Sequence, residues 1–421
     1  MVPDLGETCR SLPNNDDLGH YGAPHGVGAT WRLNPHRKTQ GMEFVTGWVI
    51  KRRMKVLFLG AGASVRAGYP LASNLLSAVE VTAEQGHLGI RNAWKAWKTF
   101  RDRATGPLAL ALNHKNPEVV LSQIDLLVTA KGPLADHFKE GLTDPAFDKL
   151  FADEPVPDDY FKTPADKEIW PVTEARYRII DCIEDFFRER HFIDSVAGNR
   201  EHRDYLREYL SQLREGDLVI TLNWDSTAER SLAELGEWNP FDGYGFKRRD
   251  LLLNSGISAQ PLPDGCTEEK STVKVLKMHG SVGWHLTEDR RIYFSNHYFL
   301  NYFDFRYNGE PIPLFDPLAP EFGPDRRRVL AYPSFLKRLE GVEMQSLWHQ
   351  AARALESAGT VKFVGCSLPE SDLAIRVLLG PLRFRMERGE VSVTARNPDG
   401  EVLDRWRTFL GDRIKLDKRP L

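Results

Sequence analysis

The chain has 421 residues, 41% of them hydrophobic and 27% charged, with a net charge of −3. That length exceeds what one hydrophobic core usually holds, so two domains, or one core with a large insertion, are expected. The balanced charge gives no sign of a polyanionic partner and so no direct nucleic-acid binding, and no apolar run reaches the roughly 18 residues of a membrane-spanning helix.

The four cysteines, Cys9, Cys182, Cys266 and Cys366, include no Cys-x-x-Cys pair. Neither a zinc ribbon nor a disulfide framework is indicated. Scattered thiols in a soluble chain fit a reducing cytoplasm.

Residues 1–53 are rich in Gly, Pro, Asn and Asp and lack periodicity. They read as a disordered tail, or as a misassigned start with translation opening at Met54. No basic-then-apolar signal peptide is present. Val56 to Leu59 is a short apolar run before a glycine-rich turn, which predicts a buried parallel strand. From Pro70 to about Arg91, Leu71, Leu75, Leu76 and Val79 recur at helical spacing.

The pattern stays helical to about Gly216. Val119, Val120, Ile124, Leu127 and Val128 form one apolar stripe, and Ile179, Ile180, Ile183, Phe186 and Phe187 form another. Between them three prolines in Glu154 to Asp166 break the run. Strand character returns at Asp217–Leu222, Thr272–Lys277, Val361–Val364 and Val391–Thr394, with a helix over Glu370–Leu379. This alternation predicts an α/β fold, a Rossmann-like parallel sheet with a large helical insertion. The expected boundaries are 54–80 and 216–415 for the α/β domain and 81–215 for the insertion.

Five motifs stand where strands end. In Gly60-Ala61-Gly62-Ala63-Ser64, glycine permits close backbone approach and a helix start offers N–H groups to an anion. The competing reading is a tight turn with no ligand. Thr221-Leu222-Asn223-Trp224-Asp225 ends a buried strand, where ligands of open α/β sheets sit. Asn223 can orient a ribose hydroxyl or a water. Asp225 reads equally as a group for an amide or a developing cation and as a helix N-cap.

His279-Gly280 can supply a general base, although a lone histidine is more often structural. In Gly365-Cys366-Ser367-Leu368, Ser367 can bond a ribose or phosphate, while Cys366 reads as packing. Asn397-Pro398 can hold an adenosine ribose or simply form a turn.

Taken in order, these motifs resemble the sirtuin-like superfamily, and more closely its bacterial branch of NAD-consuming defence proteins. Gly60-Ala61-Gly62-Ala63-Ser64 with Gly68-Tyr69-Pro70 is similar to that family's opening Gly-Ala-Gly-x-Ser and Gly-x-Pro. Thr221 to Asp225 is similar to its Thr-x-Asn-x-Asp. Lys277-Met278-His279-Gly280-Ser281, with Trp284, and Gly365 to Pro369, with Asp372, are similar to motifs of the bacterial branch. The resemblance spans about Val56 to Pro398.

It implies that NAD is the substrate, that Gly60, Ala61, Gly62 and Ser64 cradle its pyrophosphate beside Pro70, and that Thr221 and Gly365 line the site. It also implies that Asn223, Asp225 and His279 carry the chemistry, and that Ser367 and Asn397 hold the adenosine half. The zinc-binding cysteine pairs of protein-deacetylating sirtuins are missing, so no metal is expected. Leu222 stands where those enzymes have Gln, and Leu71-Ala72 where they have Phe-Arg.

These departures favour an NAD glycohydrolase giving nicotinamide and ADP-ribose, in the role of an antiphage effector acting by NAD depletion. A homo-oligomer, or a partner ATPase of the HerA-like type, is implied in the same way. The alternatives are a non-hydrolytic module that binds NAD or ADP-ribose, and a protein deacylase or ADP-ribosyltransferase. The helix carrying Trp94, Trp97 and Phe100 beside Arg91, Lys95, Lys98 and Arg101 reads as a partner surface or as a core-facing stripe with a solvated basic face.

Overall fold

The computed structural model describes residues 52–85, 88–104, 109, 112–114, 116–129, 164–196, 201–239, 242–246, 252–254, 259–261, 271–286, 292–294, 306–307, 310–311, 327–330, 342–368, 370 and 372–420. All of them lie in one compact unit, Arg52–Leu421. The expectations for residues 1–51, for most of the proline-rich break and for Cys266 lie outside the described residues.

Strand β1 (Lys55–Leu59) leads into a short 3-10 helix, Ala61–Ala67. Helices α1 (Ala72–Glu84), α2 (Leu88–Arg103), α3 (Pro117–Thr129), α4 (Pro164–Val196) and α5 (Glu201–Leu210) follow. Strand β2 (Leu218–Thr221) and helix α6 (Thr227–Glu234) come next, then the short strands β3 (Leu252–Asn254) and β4 (Ala259–Pro261). After them come β5 (Lys274–Lys277), β6 (Gly280–Leu286), β7 (Ile292–Phe294), β8 (Arg306–Tyr307), β9 (Glu310–Pro311) and β10 (Arg327–Leu330). The chain closes with α7 (Val342–Ser357), β11 (Thr360–Val364), α8 (Leu373–Leu379), α9 (Pro381–Glu387), β12 (Ser392–Arg396), α10 (Gly400–Leu410) and β13 (Lys415–Asp417).

The centre is a six-stranded sheet in the order β13-β12-β11-β1-β2-β5. Every neighbouring pair in it is parallel. Counted along the chain, β1, β2, β5, β11, β12 and β13 are its first to sixth strands. The spatial order is therefore the 3-2-1-4-5-6 of a Rossmann-like fold, with the reversal point between β1 and β11. Val56 to Leu59 read as one apolar run because both faces of the central strand are covered, and all four side chains are buried. Phe58 packs on Phe363 at 5.2 Å between ring centroids, and Phe363 on Trp406 at 4.2 Å, which joins α10 to the sheet.

The strand register decides where the motifs go. Lys277 pairs with Thr221, Thr221 with Leu59, Leu59 with Val364, and Val364 with Arg396. These residues form one row, so the loops that begin at Met278, Leu222, Gly60, Gly365 and Asn397 leave the sheet along one edge.

Helices flank this sheet as the periodicity predicts. Trp94, Trp97 and Phe100 of α2 are buried, while Arg91 and Lys95 are exposed. The aromatic stripe therefore faces the core. Helix α4 buries Ile179, Ile180, Ile183, Phe186 and Phe187 in the same hydrophobic cluster as the strands.

The expected single helix to about Arg91 is instead two, α1 ending at Glu84 and α2 beginning at Leu88. A second sheet, β10-β6-β7-β3-β4, is mostly antiparallel and was not anticipated. Its strand β6 begins directly after His279, at Gly280. No helix among the described residues is long and apolar enough to cross a membrane.

Candidate functional site

At the reversal point two loops interlock backbone against backbone. The Gly60 N–H donates to the Val364 carbonyl at 3.1 Å, and the Gly62 N–H donates to the Gly365 carbonyl at 2.9 Å. A Cβ on Gly60 would lie 2.5 Å from Cys366 Cα, and one on Gly365 would lie 2.2 Å from the Ala63 nitrogen. Gly365 also has φ +63°, a left-handed backbone that side chains disfavour. The glycines are thus required by loop-to-loop contact. Two of the N–H groups that the sequence assigns to a phosphate are already donated to protein carbonyls.

Asn223 ties the β2 loop into this pair. Its Nδ2 donates to the Gly60 carbonyl at 3.0 Å and to Ser64 Oγ at 2.9 Å, and Ser64 is buried. An amide nitrogen carries two protons, and both are spent here, so any ligand or water that Asn223 meets must donate to Oδ1. Thr221 supports the turn, with its Oγ1 accepting from the Asn223 N–H at 3.1 Å. Pro70 is half-buried just beyond the 3-10 helix. Beside it Tyr69 stacks on Phe187 at 5.4 Å, and Phe187 meets Trp224 edge-on at 6.2 Å.

Asp225 is buried, and its Oδ1 accepts from the Thr227 N–H at 2.9 Å. The competing reading had Asp225 as the helix N-cap, but the N-cap of α6 is Ser226; Asp225 stands one residue earlier and serves the first helical N–H in a local turn. Its backbone carbonyl accepts from Lys277 Nζ, which also lies 2.8 Å from Glu229 Oε1. Lys277 and Glu229 are both wholly buried, and Tyr244 OH donates to the same Glu229 oxygen at 3.2 Å. Burial pushes the Glu229 carboxyl upward, against the downward pull of Lys277. Tyr244 is pushed well above its usual value by burial and then by Glu229, and its ring packs edge-on against Trp284 at 4.8 Å. This network beneath the site was not foreseen.

His279 sits two residues beyond Lys277 and is 2% exposed. Its Nε2 lies 2.9 Å from Asp372 Oδ2. The other oxygen of Asp372 accepts from the Ile375 N–H at 3.1 Å and caps α8. The sequence reading matched Asp372 to a motif without giving it a role.

The β11 and β12 loops differ from these. Ser367 is exposed. Cys366 is buried, and burial pushes its thiol up to about 12, so it packs rather than attacks. Asn397 is buried, and its Oδ1 accepts from the Asp399 N–H at 3.0 Å, the local turn that competed with a ribose contact. Among the described residues no group of three or more His, Cys, Asp or Glu is arranged to hold a metal ion. An apolar groove of about 510 Å³ lies between α7, α8 and α9, lined by Trp348, Leu355, Leu373, Val377, Leu378 and Leu382. None of the expected site residues lines it.

No protein-family model and no curated relative matches the chain. Among solved structures, a mutant Sir2 homologue in complex with 2'-O-acetyl ADP-ribose is similar at 15% identity and a TM-score of 0.33, over 87% of this chain and 86% of that one. A second mutant Sir2 homologue, in an ADP-ribose complex, aligns at 15% identity and a TM-score of 0.31 over the same shares. A structure described as the basis for the mechanism and regulation of Sir2 enzymes aligns at 11% identity and a TM-score of 0.27, over 87% of this chain and 88% of that one. Likeness at this distance carries no information on chemistry.

Proposed function

We propose that this chain binds NAD or ADP-ribose along the carboxyl edge of the six-stranded sheet, at the reversal point between β1 and β11, and that it cleaves NAD with water. The observation that carries the reading is the convergence at that edge. Loops from five separate strands leave it in one row, and the Asn223 amide bonds both Gly60 and Ser64 there. Open sheets of this strand order bind dinucleotides at that point. The ordered motifs, which resemble those of the sirtuin-like superfamily, name NAD as the dinucleotide.

In the proposed reaction the bond between ribose C1′ and nicotinamide breaks, and its electron pair leaves with nicotinamide. Water adds to C1′ of an oxocarbenium-like state. Asn223 Oδ1 accepts from the water or from a ribose hydroxyl, and His279 takes the proton released as the new C–O bond forms. The proton then passes to solvent, so the products are nicotinamide, ADP-ribose and H⁺. Asp225 stands at the nicotinamide end and Ser367 and Asn397 at the adenosine end, with Gly60, Ala61, Gly62, Ser64 and Pro70 along the pyrophosphate. The same resemblance carries the physiological role, NAD depletion during phage infection, with self-assembly or a HerA-like ATPase as trigger.

The second reading is a module that binds the ligand without turning it over. It is favoured by the prior commitment of the Gly60 and Gly62 N–H groups and of both Asn223 protons, which makes the edge a rigid receptor. The test is NAD consumption by the purified full-length chain, with nicotinamide and ADP-ribose separated by chromatography, beside calorimetric titration with ADP-ribose. Nicotinamide release without any peptide, abolished by His279→Ala and by Asn223→Ala in proteins of unchanged circular dichroism, is the expected result. Tight ADP-ribose binding with no release, in the purified chain and again in infected-cell extract that supplies a trigger, selects the binding module, and acetyl-peptide turnover would select the deacylase instead.

A further inference from the structure

The buried contact between His279 and Asp372 assigns a role to a residue that the motifs alone leave without one. Two groups 93 positions apart meet at 2.9 Å, each side chain no more than 3% exposed. Asp372 Oδ1 is engaged by the Ile375 N–H, so its carboxylate is held on both oxygens. An ionised carboxylate can only accept hydrogen bonds. With Asp372 ionised, the ring nitrogen that faces it carries a proton. A neutral imidazole has one N–H and one lone pair, and which nitrogen is which follows from the hydrogen bond the ring makes.

We infer that Asp372 is a positioning residue that fixes His279 as the Nε2–H tautomer, so that Nδ1 is the nitrogen that takes up the proton during turnover. The inference rests on the NAD-cleaving reading for its effect on rate, but not for the tautomer itself. When Nδ1 takes the proton from the attacking water or the ribose hydroxyl, the resulting imidazolium keeps its Nε2–H on the Asp372 carboxylate, and the negative charge stabilises it.

Asp372→Asn separates this role from helix capping, because Asn is as good an N-cap as Asp. The Asn oxygen remains the acceptor for the Ile375 N–H, which turns the amide N–H₂ toward His279. That donor requires a lone pair on Nε2 and moves the ring proton to Nδ1, where it blocks proton uptake. Asp372→Ser also keeps a cap but is too short to reach the ring, so it releases the tautomer.

The experiment uses the full-length chain with ¹⁵N-labelled histidine, and His279 is assigned by difference against His279→Gln. Long-range ¹H–¹⁵N spectra should show Nε2 protonated in the wild type, Nδ1 protonated in Asp372→Asn, and an exchanging mixture in Asp372→Ser. NAD turnover should fall about 10²- to 10⁴-fold in kcat for Asp372→Asn, the usual contribution of a general base. KM should hold, as for an interaction made in the transition state. Thermal melting of Asp372→Asn should match the wild type, whereas Asp372→Ser, which leaves a buried ring N–H unpaired, should melt lower.

Nδ1 protonated in the wild type, or the same Nε2–H spectrum in all three proteins, would overturn the inference. So would full activity in Asp372→Asn. If the wild type releases no nicotinamide, the NAD-cleaving reading fails alone, and the spectra still decide whether Asp372 sets the ring.

Discussion

Two asparagines stand at the same edge of the sheet and use their side chains in opposite ways. Asn223 spends its amide protons on Gly60 and Ser64, residues 163 and 159 positions away. Asn397 spends its carbonyl on Asp399, two positions away. The first arrangement exists only when β1 and β2 are already paired. The second is a turn that an Asn-Pro segment makes anywhere. Strands β1, β2, β5 and β11 thus carry a constellation built by tertiary structure, whereas the β12 loop carries local geometry that a ligand would have to share. Polar groups held by distant partners are preorganised, and preorganisation is what a reacting centre needs.

The comparison breaks most completely at Gly365. A methyl group there meets the Ala63 nitrogen at 2.2 Å on a backbone of φ +63°. The atoms it meets belong to the Gly62 and Ala63 backbone and not to a flexible side chain that could swing away, so the two loops must part. Gly365→Ala is expected to cost more than about 4 kcal/mol, the range reserved for severe packing and backbone conflicts. The measurement is the urea midpoint at constant slope. A midpoint within error of the wild type would show that the loops have slack and that the interlock does not hold the site.

Lys277 comes next. It links the Asp225 carbonyl to Glu229 in a fully buried pair. Lys277→Met keeps the volume but leaves Glu229 without its cation, and breaking one side of a buried pair costs about 3–5 kcal/mol. The sign of the pH dependence follows from Glu229. Burial already raises its folded value above 4.5, and losing Lys277 raises it further. Its charged form is then the unstable one in the fold. The penalty should therefore be small below about pH 4.5 and grow as pH rises toward the folded value, the reverse of a carboxylate with a depressed value. Denaturation of Lys277→Met at pH 4.5 and pH 7.5 checks this. Equal losses at both would mean that Glu229 does not titrate in that range.

Much of this could be read in the sequence, and the boundary between what could and what could not has physical causes. Strands β1, β2, β5 and β11 were visible because a strand covered on both faces must be largely apolar, as Val56 to Leu59 are, and β12 because its buried Val393 and Ala395 alternate with more exposed residues. The glycines and Asn223 were visible because turns at strand ends admit few residue types. Strand β13 was not, since Lys415 to Asp417 alternate charge with one leucine at an edge of the sheet. The antiparallel sheet around β6 was hidden because its other four strands are only three or four residues long.

Among the site residues, Asp372 falls inside the helix expected over Glu370–Leu379, whereas in the fold it caps that helix. Only the fold shows that its second oxygen faces His279. Lys277 has no role in the motif reading, and its buried partner becomes visible only when Glu229, 48 positions earlier, is placed beside it.

The smallest expected effect sharpens the comparison at Asn397. With Oδ1 committed to the Asp399 N–H, the group left for an adenosine ribose is the Nδ2 donor pair. Asn397→Asp keeps the turn and removes those donors, whereas Asn397→Ala removes both. The Asp variant should match the wild type in stability while ADP-ribose affinity falls by about one hydrogen bond, roughly 2- to 12-fold. The Ala variant should lose the same affinity and about 1 kcal/mol of stability besides. Calorimetric titration and thermal melting of the two variants separate the terms. If Asn397→Asp binds ADP-ribose as the wild type does, the side chain serves its turn alone, and recognition of the adenosine half passes to Ser367 and the backbone of the β11 loop.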